Sequence, residues 1–543
     1  MTLKKNDIIK LNIETCTVQG SGIGRFDGLA VFVPMTAPGD VIEAHILKVK
    51  PNCAFAKVHR IITPSPSRIP VDCAAYTKCG GCVFRHISYE EEARIKASHV
   101  ADCLHRIGKT DIEPEKILTI GGRSTYRNKA QYPVARDGHE LLMGFYSPHS
   151  HRVTECRFCP LQPKEFEGIL NAFDGYIREQ NISTYNEETH SGLLRHIYLR
   201  KAEATGQIMA CAVINGTSLP NEGKLVEAIR NACPQTASIV ININREKTNV
   251  ILGKKCRTVY GSDYITDTLC GLSFRISPLS FYQVNRTGAE MLYRKAAEYA
   301  RLDGTQTVLD LYCGAGTIGL SMKDKAKKII GVEIVPEAIE DAKVNAALNN
   351  AENARFICAD ASEAAKQLEN EGIRPDVIIL DPPRKGCARD LLETVCSMSP
   401  DRIVYISCDP ATQARDVNIL EGLGYKALSA CPVDMFPGTG HVESVVLLVK
   451  LPPDDVVNIE LDLTKLPVSI HDGDATYDEI KQYVLSHHGL KVSSLYISQI
   501  KRKYGLKVTE AYNKPKSENS HQPQCPLEKE KAITEALKYF KMI

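Results

Sequence analysis

Two groups of cysteines differ in their neighbours and so in the chemistry open to them. Cys73, Cys79 and Cys82 lie within DCAAYTKCGGC, a C-x5-C-G-G-C spacing. Glycines between thiols let a chain wrap closely around a metal ion or an iron–sulfur cluster. Three ligands need a fourth, and CRFCPLQ offers Cys159, with Cys156 as its rival. Zinc competes for such a site, although C-x5-C departs from the usual zinc spacing. Cys408 has another setting. It follows the apolar run RIVYIS and precedes DPATQARD, a proline-containing turn into a helix. A helix N-terminus at that point is expected to lower the thiol pKa and favour the nucleophilic thiolate; standing alone, the residue would read as a core cysteine. Downstream, VDMFPGTGHVESVVLL sets Glu443, with His441 close by, at the start of the last strand. Both are candidates for proton transfer.

A further set of residues suits a nucleoside cofactor. In VLDLYCGAGTIGL (308–320), Gly314 and Gly316 permit a tight strand-to-helix turn after Tyr312, and the new helix start offers free N–H groups. Glu333 ends the next strand, about twenty residues on, where an acid can accept from both hydroxyls of a ribose. That serves a dinucleotide or S-adenosylmethionine, and the loop lacks a complete G-x-G-x-x-G. Asp360, ending the third strand, could accept from an adenine amine. DPPRKG follows the strand DVIIL and places Asp381 near the cofactor's reactive end, with Arg384 and Lys385 near a polyanion. A similar D-P-P element with an aromatic fourth residue serves amino-group methylation; the fourth residue here is Arg384.

Such residues need a scaffold, and the chain supplies the pattern for one. From residue 305, apolar runs of five to eight residues alternate with helical segments, the signature of a doubly wound, mostly parallel α/β sheet that binds ligands beyond its strands' C-terminal ends. Residues 1–60 show short β-type runs separated by glycine turns, a small barrel pattern. ITPSPSRIP (62–70) reads as a linker. A helix is expected over 90–107, free to pack on the catalytic domain. Residues 71–270 read as a central α+β region, 271–451 as the catalytic domain, and 452–543 as a small helical extension. Within that extension 476–507 has a helix-turn-helix-like pattern, and 496–516 holds six Lys/Arg against one Glu. With 543 residues, several domains are required. Lys+Arg 67 against Asp+Glu 65 leaves +2, so a nucleic-acid surface must be local. The 19 cysteines are paired with no apolar signal segment at the N-terminus and no run of 18 apolar residues. That favours buried, metal-binding or catalytic thiols in a cytoplasmic protein over disulfides, and leaves no membrane partner.

Taken in order, the cysteine tract with CGGC, FYQVN (281–285), DLYCGAGTIGL, GVEIV, DPPRKG, SCDPATQARD and DMFPGTGHVE closely resemble the RNA uracil-C5 methyltransferases over about residues 1–450. The likeness is strongest to the bacterial 23S rRNA type, which carries an N-terminal OB-like TRAM barrel and a [4Fe–4S] cluster. The resemblance implies a multidomain fold: TRAM β-barrel, α+β domain with the cluster, and Rossmann-like methyltransferase domain. It implies Cys408 as nucleophile and Glu443 as the base that takes the C5 proton. It implies S-adenosylmethionine contacts at Gln283, Tyr312, Gly314, Glu333 and Asp381, with Asp360 a further one. It also implies cluster ligands Cys73, Cys79, Cys82 and Cys159. Cys159 is favoured over Cys156 because it directly precedes PLQ, like the family's fourth cysteine.

The chemistry explains the set. Uracil C5 is too weak a nucleophile to take a methyl group directly, so a thiolate adds to C6 and makes C5 enolate-like. The proton left on C5 after methylation must go before the thiolate can leave. The target base must also be splayed out of folded RNA, at roughly a few kcal/mol. Arg25, Phe26 and Lys57 of the barrel are candidate backbone contacts, as is the basic tail. The expected partner is RNA, foremost 23S rRNA, bound by a monomer, with no DNA. A tRNA uracil-C5 methyltransferase and a non-catalytic RNA-binding or assembly factor are the competing readings.

Overall fold

Alternating burial builds the N-terminal sheet. Strands Ile8–Asn12, Leu29–Pro34 and Val41–Val49 turn Leu11, Val31, Val33, Ile42, Ala44 and Ile46 inward and leave their neighbours facing water. With Cys53–Thr63, Ser21–Phe26 and Thr15–Cys16 they form a six-stranded, barrel-like sheet. In the computed structural model, residues 3–452, 475–506, 508, 524–540 and 542–543 are described. They fall into two compact units that divide between residues 456 and 457. Two expectations need correcting at the barrel's exit. The last strand runs on through Ile62 and Thr63, and the segment after it is anchored rather than a free linker. Asp40, fully buried, accepts from the Ser65 amide at 2.8 Å and pairs with Arg68 at 2.7 Å.

The central region is a seven-stranded sheet in the order Val153–Glu155, Glu140–Tyr146, Lys129–Asp137, Leu194–Lys201, Ile208–Ile214, Thr236–Ile243, Lys255–Gly261. Helices Glu165–Glu179 and Glu222–Ala232 cover one face through Phe166, Leu170, Phe173, Leu225 and Ile229. A hairpin, Ile265–Leu269 with Leu272–Ile276, straddles the boundary expected at 270/271.

The third sheet has the order Ala354–Cys358, Lys328–Glu333, Thr307–Leu311, Val377–Leu380, Arg402–Ser407, Glu443–Lys450, Tyr425–Asp434, Leu118–Thr119. Its first five strands are parallel, and their fully buried runs (Val377–Leu380, Ile403–Ile406) fit a sheet covered on both faces. Glu443–Lys450 runs antiparallel to both its neighbours. Tyr425–Asp434 is a strand that the sequence pattern did not single out. The expected helix over 90–107 spans Tyr89–Cys103 and passes into a π turn, Leu104–Gly108, closed by Lys109 in the left-handed region. Its Val100, Cys103 and Leu104 pack into the catalytic sheet's core.

In the second unit, helices Tyr477–His488, Ser494–Lys503 and Leu527–Tyr539 enclose a core of Ile480, Val484, Ile497, Ile500, Ile533 and Leu537. Thr476 and Glu479 form a capping box, and Gly489 ends the first helix at φ +67°. The acidic stretch 453–474, residues 507 and 509–516 of the basic segment, and residues 513–523 of the polar tract lie outside the described residues. No helix among the described residues is long and apolar enough to cross a membrane.

Candidate active site

The glycine loop turns at the C-terminal end of Thr307–Leu311, the middle of the parallel run. Gly314 and Gly316 have φ of +54° and +80°, and Tyr312 itself has φ +68°. A tyrosine there is strained and is held by its surroundings. Glu333 reaches across from the adjacent strand, accepting from the Gly314 amide at 3.2 Å and from the Val335 amide at 3.0 Å. Asp310, which sequence reasoning missed, sits fully buried under the loop. One of its oxygens accepts from the Gly319 amide at 2.9 Å, the other has no partner, and burial raises its carboxyl to about 7. An acid inside the apolar run TVLDLYC was the available signal. Asp360 is exposed and caps the helix Ala361–Asn370, accepting from the Ser362 amide at 2.9 Å. Gln283 lies in the segment leading into helix Arg286–Ala300, where its carbonyl accepts from the Asn128 side chain at 2.9 Å. Nearby, Phe281 is 64 % exposed.

Strand register brings the thiol and the carboxylate together. Ser407 pairs with Ser444 in the antiparallel ladder, so Cys408 and Glu443 are the next facing residues at the sheet's active edge. Gln413 locks this edge, donating to the carbonyls of Tyr405 (2.8 Å) and Ser444 (3.1 Å) while accepting from the Ser444 hydroxyl at 2.5 Å. Asp416 ties in the DPPRKG loop, accepting from the Cys387 amide at 2.8 Å and the Tyr405 hydroxyl at 2.6 Å. Arg384 of that loop lies 3.4 Å from His441 Nδ1.

The electrostatics overturn one expectation. The Cys408 thiol is pushed up to about 11, by burial first and then by Glu443, with Arg384 opposing. At the helix N-terminus, Asp409 caps the amides of Ala411 and Thr412, at 3.1 and 3.0 Å. Burial and the Asp381 charge raise Glu443 to about 8, and burial raises Asp381 to about 7. Near pH 7 the Glu443 carboxyl is therefore mostly protonated and Asp381 sits close to its midpoint, beside a protonated thiol and Arg384.

Behind this edge, Cys73, Cys79, Cys82, Cys156 and Cys159 line a cavity of about 240 Å3, with His441 also in its wall. All five are free thiols. The Cys156 thiol donates to the Phe158 carbonyl at 3.5 Å, and its closeness to Cys159 and Cys73 raises its own pKa and lowers theirs, Cys73 to about 6. Burial raises Cys79, and Cys82 to about 12. Among the described residues, no group of three or more His, Cys, Asp or Glu side chains is arranged to hold a metal ion.

A doubly wound sheet with this glycine loop, its strand-end acids and a barrel-like N-terminal sheet defines a methyltransferase joined to a nucleic-acid-binding module. Residues 237–451 match the tRNA (Uracil-5-)-methyltransferase family model, and residues 4–59 match the TRAM domain. The chain is 44% identical over 446 residues to an uncharacterized RNA methyltransferase of Clostridium tetani, covering 82% of this chain and 97% of that one. It is 43% identical over 447 residues to another from Halalkalibacterium halodurans, covering 82% and 98%. Its fold is similar to the Pyrococcus abyssi tRNA (uracil-54, C5)-methyltransferase solved with S-adenosyl-L-homocysteine, with TM-score 0.66, 28% identity, and 81% and 99% of the two chains covered. The chain belongs to the RNA uracil-C5 methyltransferase family and is an S-adenosylmethionine-dependent enzyme acting on RNA.

Proposed function

We propose that this protein methylates C5 of a uridine in 23S rRNA through a covalent adduct on Cys408. The observation that carries the proposal is the facing pair across the ladder: a nucleophile and a proton acceptor fixed on adjacent strands at the edge where the cofactor loop opens. When bound, S-adenosylmethionine supplies an electrophilic methyl group. Glu333 would hold the ribose hydroxyls and the strained Tyr312–Gly314 turn the adjacent part of the cofactor, with Gln283, Asp381 and Asp360 as further contacts. Cys408 Sγ attacks C6 as the thiolate, its proton having passed to water, Arg384 stabilises that anion, and C5, made enolate-like, takes the methyl group. Glu443, ionised, then takes the C5 proton, and the thiolate leaves. Phe281 offers a ring face on which a splayed base can stack.

Cys73, Cys79, Cys82 and Cys159 would hold a [4Fe–4S] cluster. What supports this reading is that these four thiols and Cys156 border one cavity of about 240 Å3. A cluster there would fix the fold of the cysteine loops; methyl transfer moves no electron through it. The protein is read as a cytoplasmic monomer, with the C-terminal helical unit as an added RNA-binding appendage. The similarity to a tRNA enzyme keeps tRNA as a second substrate reading. Incubation of purified protein and S-adenosylmethionine with unmodified 23S rRNA and tRNA, followed by mapping of 5-methyluridine, decides between them. Product in 23S rRNA alone supports the proposal, and product in tRNA alone replaces it.

A further inference from the structure

The loop between strands Tyr425–Asp434 and Glu443–Lys450 is bonded to three separate segments of the chain. The Met435 carbonyl accepts from Asn285, which caps the helix after the Gln283 segment (2.8 Å). The Pro437 carbonyl accepts from the Tyr126 hydroxyl (2.9 Å). The Gly438 carbonyl accepts from the amides of Val83 and Phe84, at 2.8 and 3.1 Å, directly after Cys82. Gly438 has φ +84°, and a Cβ built there would stand 3.7 Å from Cys82 Sγ. Thr439 and His441 form part of the thiol cavity's wall, and two residues later comes Glu443. One stretch of backbone therefore borders the cysteine cavity at one end and carries the candidate base at the other.

Three charged side chains, each completely buried, hold this stretch from below. Lys96 Nζ donates to Glu92 (2.8 Å), to Asp434 (2.8 Å) and to the Phe436 carbonyl (3.1 Å), using all three of its protons. Glu92 accepts from the Gly438 amide at 2.5 Å, and Asp434 accepts from the Phe436 amide at 3.1 Å. Arg123 lies 3.5 Å from Glu92 and donates to the carbonyls of Phe84 and Ile87, at 3.0 and 2.8 Å, in the chain just after Cys82. Two carboxylates and two cations thus meet in the interior where the helix Tyr89–Cys103, the cysteine loop and the Glu443 loop come together. Buried ion networks stabilise little relative to apolar replacements, and their best-attested use is to fix one arrangement among several.

We propose that Glu92, Lys96 and Asp434 are positioning residues for Glu443: they set the 435–442 backbone so that the wall of the thiol cavity and the base that removes the C5 proton are placed by one buried network. The inference rests on the reading of Glu443 as that base. A misplacement of about 1 Å can cost about a hundredfold in rate, and here it would fall on one step, the removal of the C5 proton.

The test uses the full-length protein with Glu92→Gln, a near-isosteric change, and Glu92→Gln/Lys96→Met/Asp434→Asn, which removes the buried cation together with both of its carboxylate partners. Each is compared with Glu443→Gln on uridine RNA and on RNA carrying 5-deuterouridine. The expected result is a kcat lowered by about ten- to a hundredfold, KM for RNA unchanged within about twofold, a larger deuterium effect on kcat, and accumulation of the methylated covalent intermediate as in Glu443→Gln. A purely structural defect would lower the active fraction and leave the deuterium effect at the parent value. If Glu443→Gln accumulates the intermediate and the folded Glu92 variants do not, the positioning role is wrong and the base reading stands. If Glu443→Gln itself accumulates none, the base reading fails and this inference fails with it.

Discussion

The two thiol sites are built on opposite plans. Cys408 is one residue on a rigid sheet edge, and strand register, the Gln413 lock and the Asp416 tie fix its position. The five thiols of the cavity come from loops more than seventy residues apart in sequence, gathered by contacts such as Gly438 to Val83 and Gly80 to Tyr146. A thiol that must add to a ring and leave again needs one geometry and a base opposite. Thiols that bind a cluster gain their final order from what they bind.

That contrast can be broken by substitution. Cys408→Ala should abolish turnover, by a factor on the order of 10^5 or more, and leave iron content and Tm unchanged. Steady-state rates and iron analysis measure both, and iron-free Cys408→Ala protein would erase the distinction. Glu443→Gln should lower kcat by about 10^2 to 10^4. Because Glu443 rests at about 8, the parent kcat/KM should climb as pH rises through 8, and that limb should flatten in the variant. A pH profile identical in both proteins would remove Glu443 from the rate. Cys79→Ser reverses the first pattern: iron and its visible absorption should disappear, and Tm should fall by about 5–10 °C. Zinc in place of iron in the parent protein would contradict the cluster.

A smaller effect concerns stability. Asp310, Asp381 and Glu443 have folded-state pKa values raised above their ordinary ones, to about 7, 7 and 8. Each binds its proton more tightly folded than unfolded. The stability they contribute is complete below about pH 4 and is lost as pH rises through 7 to 8. The Tm of cofactor-free protein should therefore fall between about pH 5 and 8.5, and less steeply in Asp310→Asn; equal slopes would mean that Asp310 is not protonated. Smallest is the change on deleting residues 452–543. It should leave methylation at saturating RNA intact and make the salt dependence of RNA binding shallower, by about one for each phosphate that the deleted unit would neutralise. An unchanged slope would make the unit something other than an RNA appendage.

What was legible in the sequence follows the same division. The glycine loop, the DPPRKG turn and the Cys408 turn are local signals, because a glycine at positive φ, a stiff proline pair and a strand-end residue each state their own geometry. The direction of the Cys408 pKa shift was not legible, since it depends on burial and on Glu443 thirty-five residues away. Nor was the strand Tyr425–Asp434: YKALSACPVD mixes small, polar and proline residues, and the ladder with Glu443–Lys450 decides its state. Nothing in EEEARIK marks Glu92 and Lys96 as buried. They are buried because their partners, Asp434 and the Phe436 carbonyl, arrive from nearly 340 residues downstream.

Whether Cys408 bonds to uracil C6 during methylation decides the mechanism as a whole. Incubating the protein with 23S rRNA in which uridine is replaced by 5-fluorouridine, together with S-adenosylmethionine, tests it most directly, because fluorine cannot be removed as a proton and the adduct cannot resolve. The expected product is a denaturation-resistant protein–RNA complex carrying one methyl group per adduct, absent in Cys408→Ala and retained in Cys79→Ser protein that remains folded. A complex that persists in Cys408→Ala, or methylated RNA released with no adduct at all, would contradict covalent catalysis by Cys408.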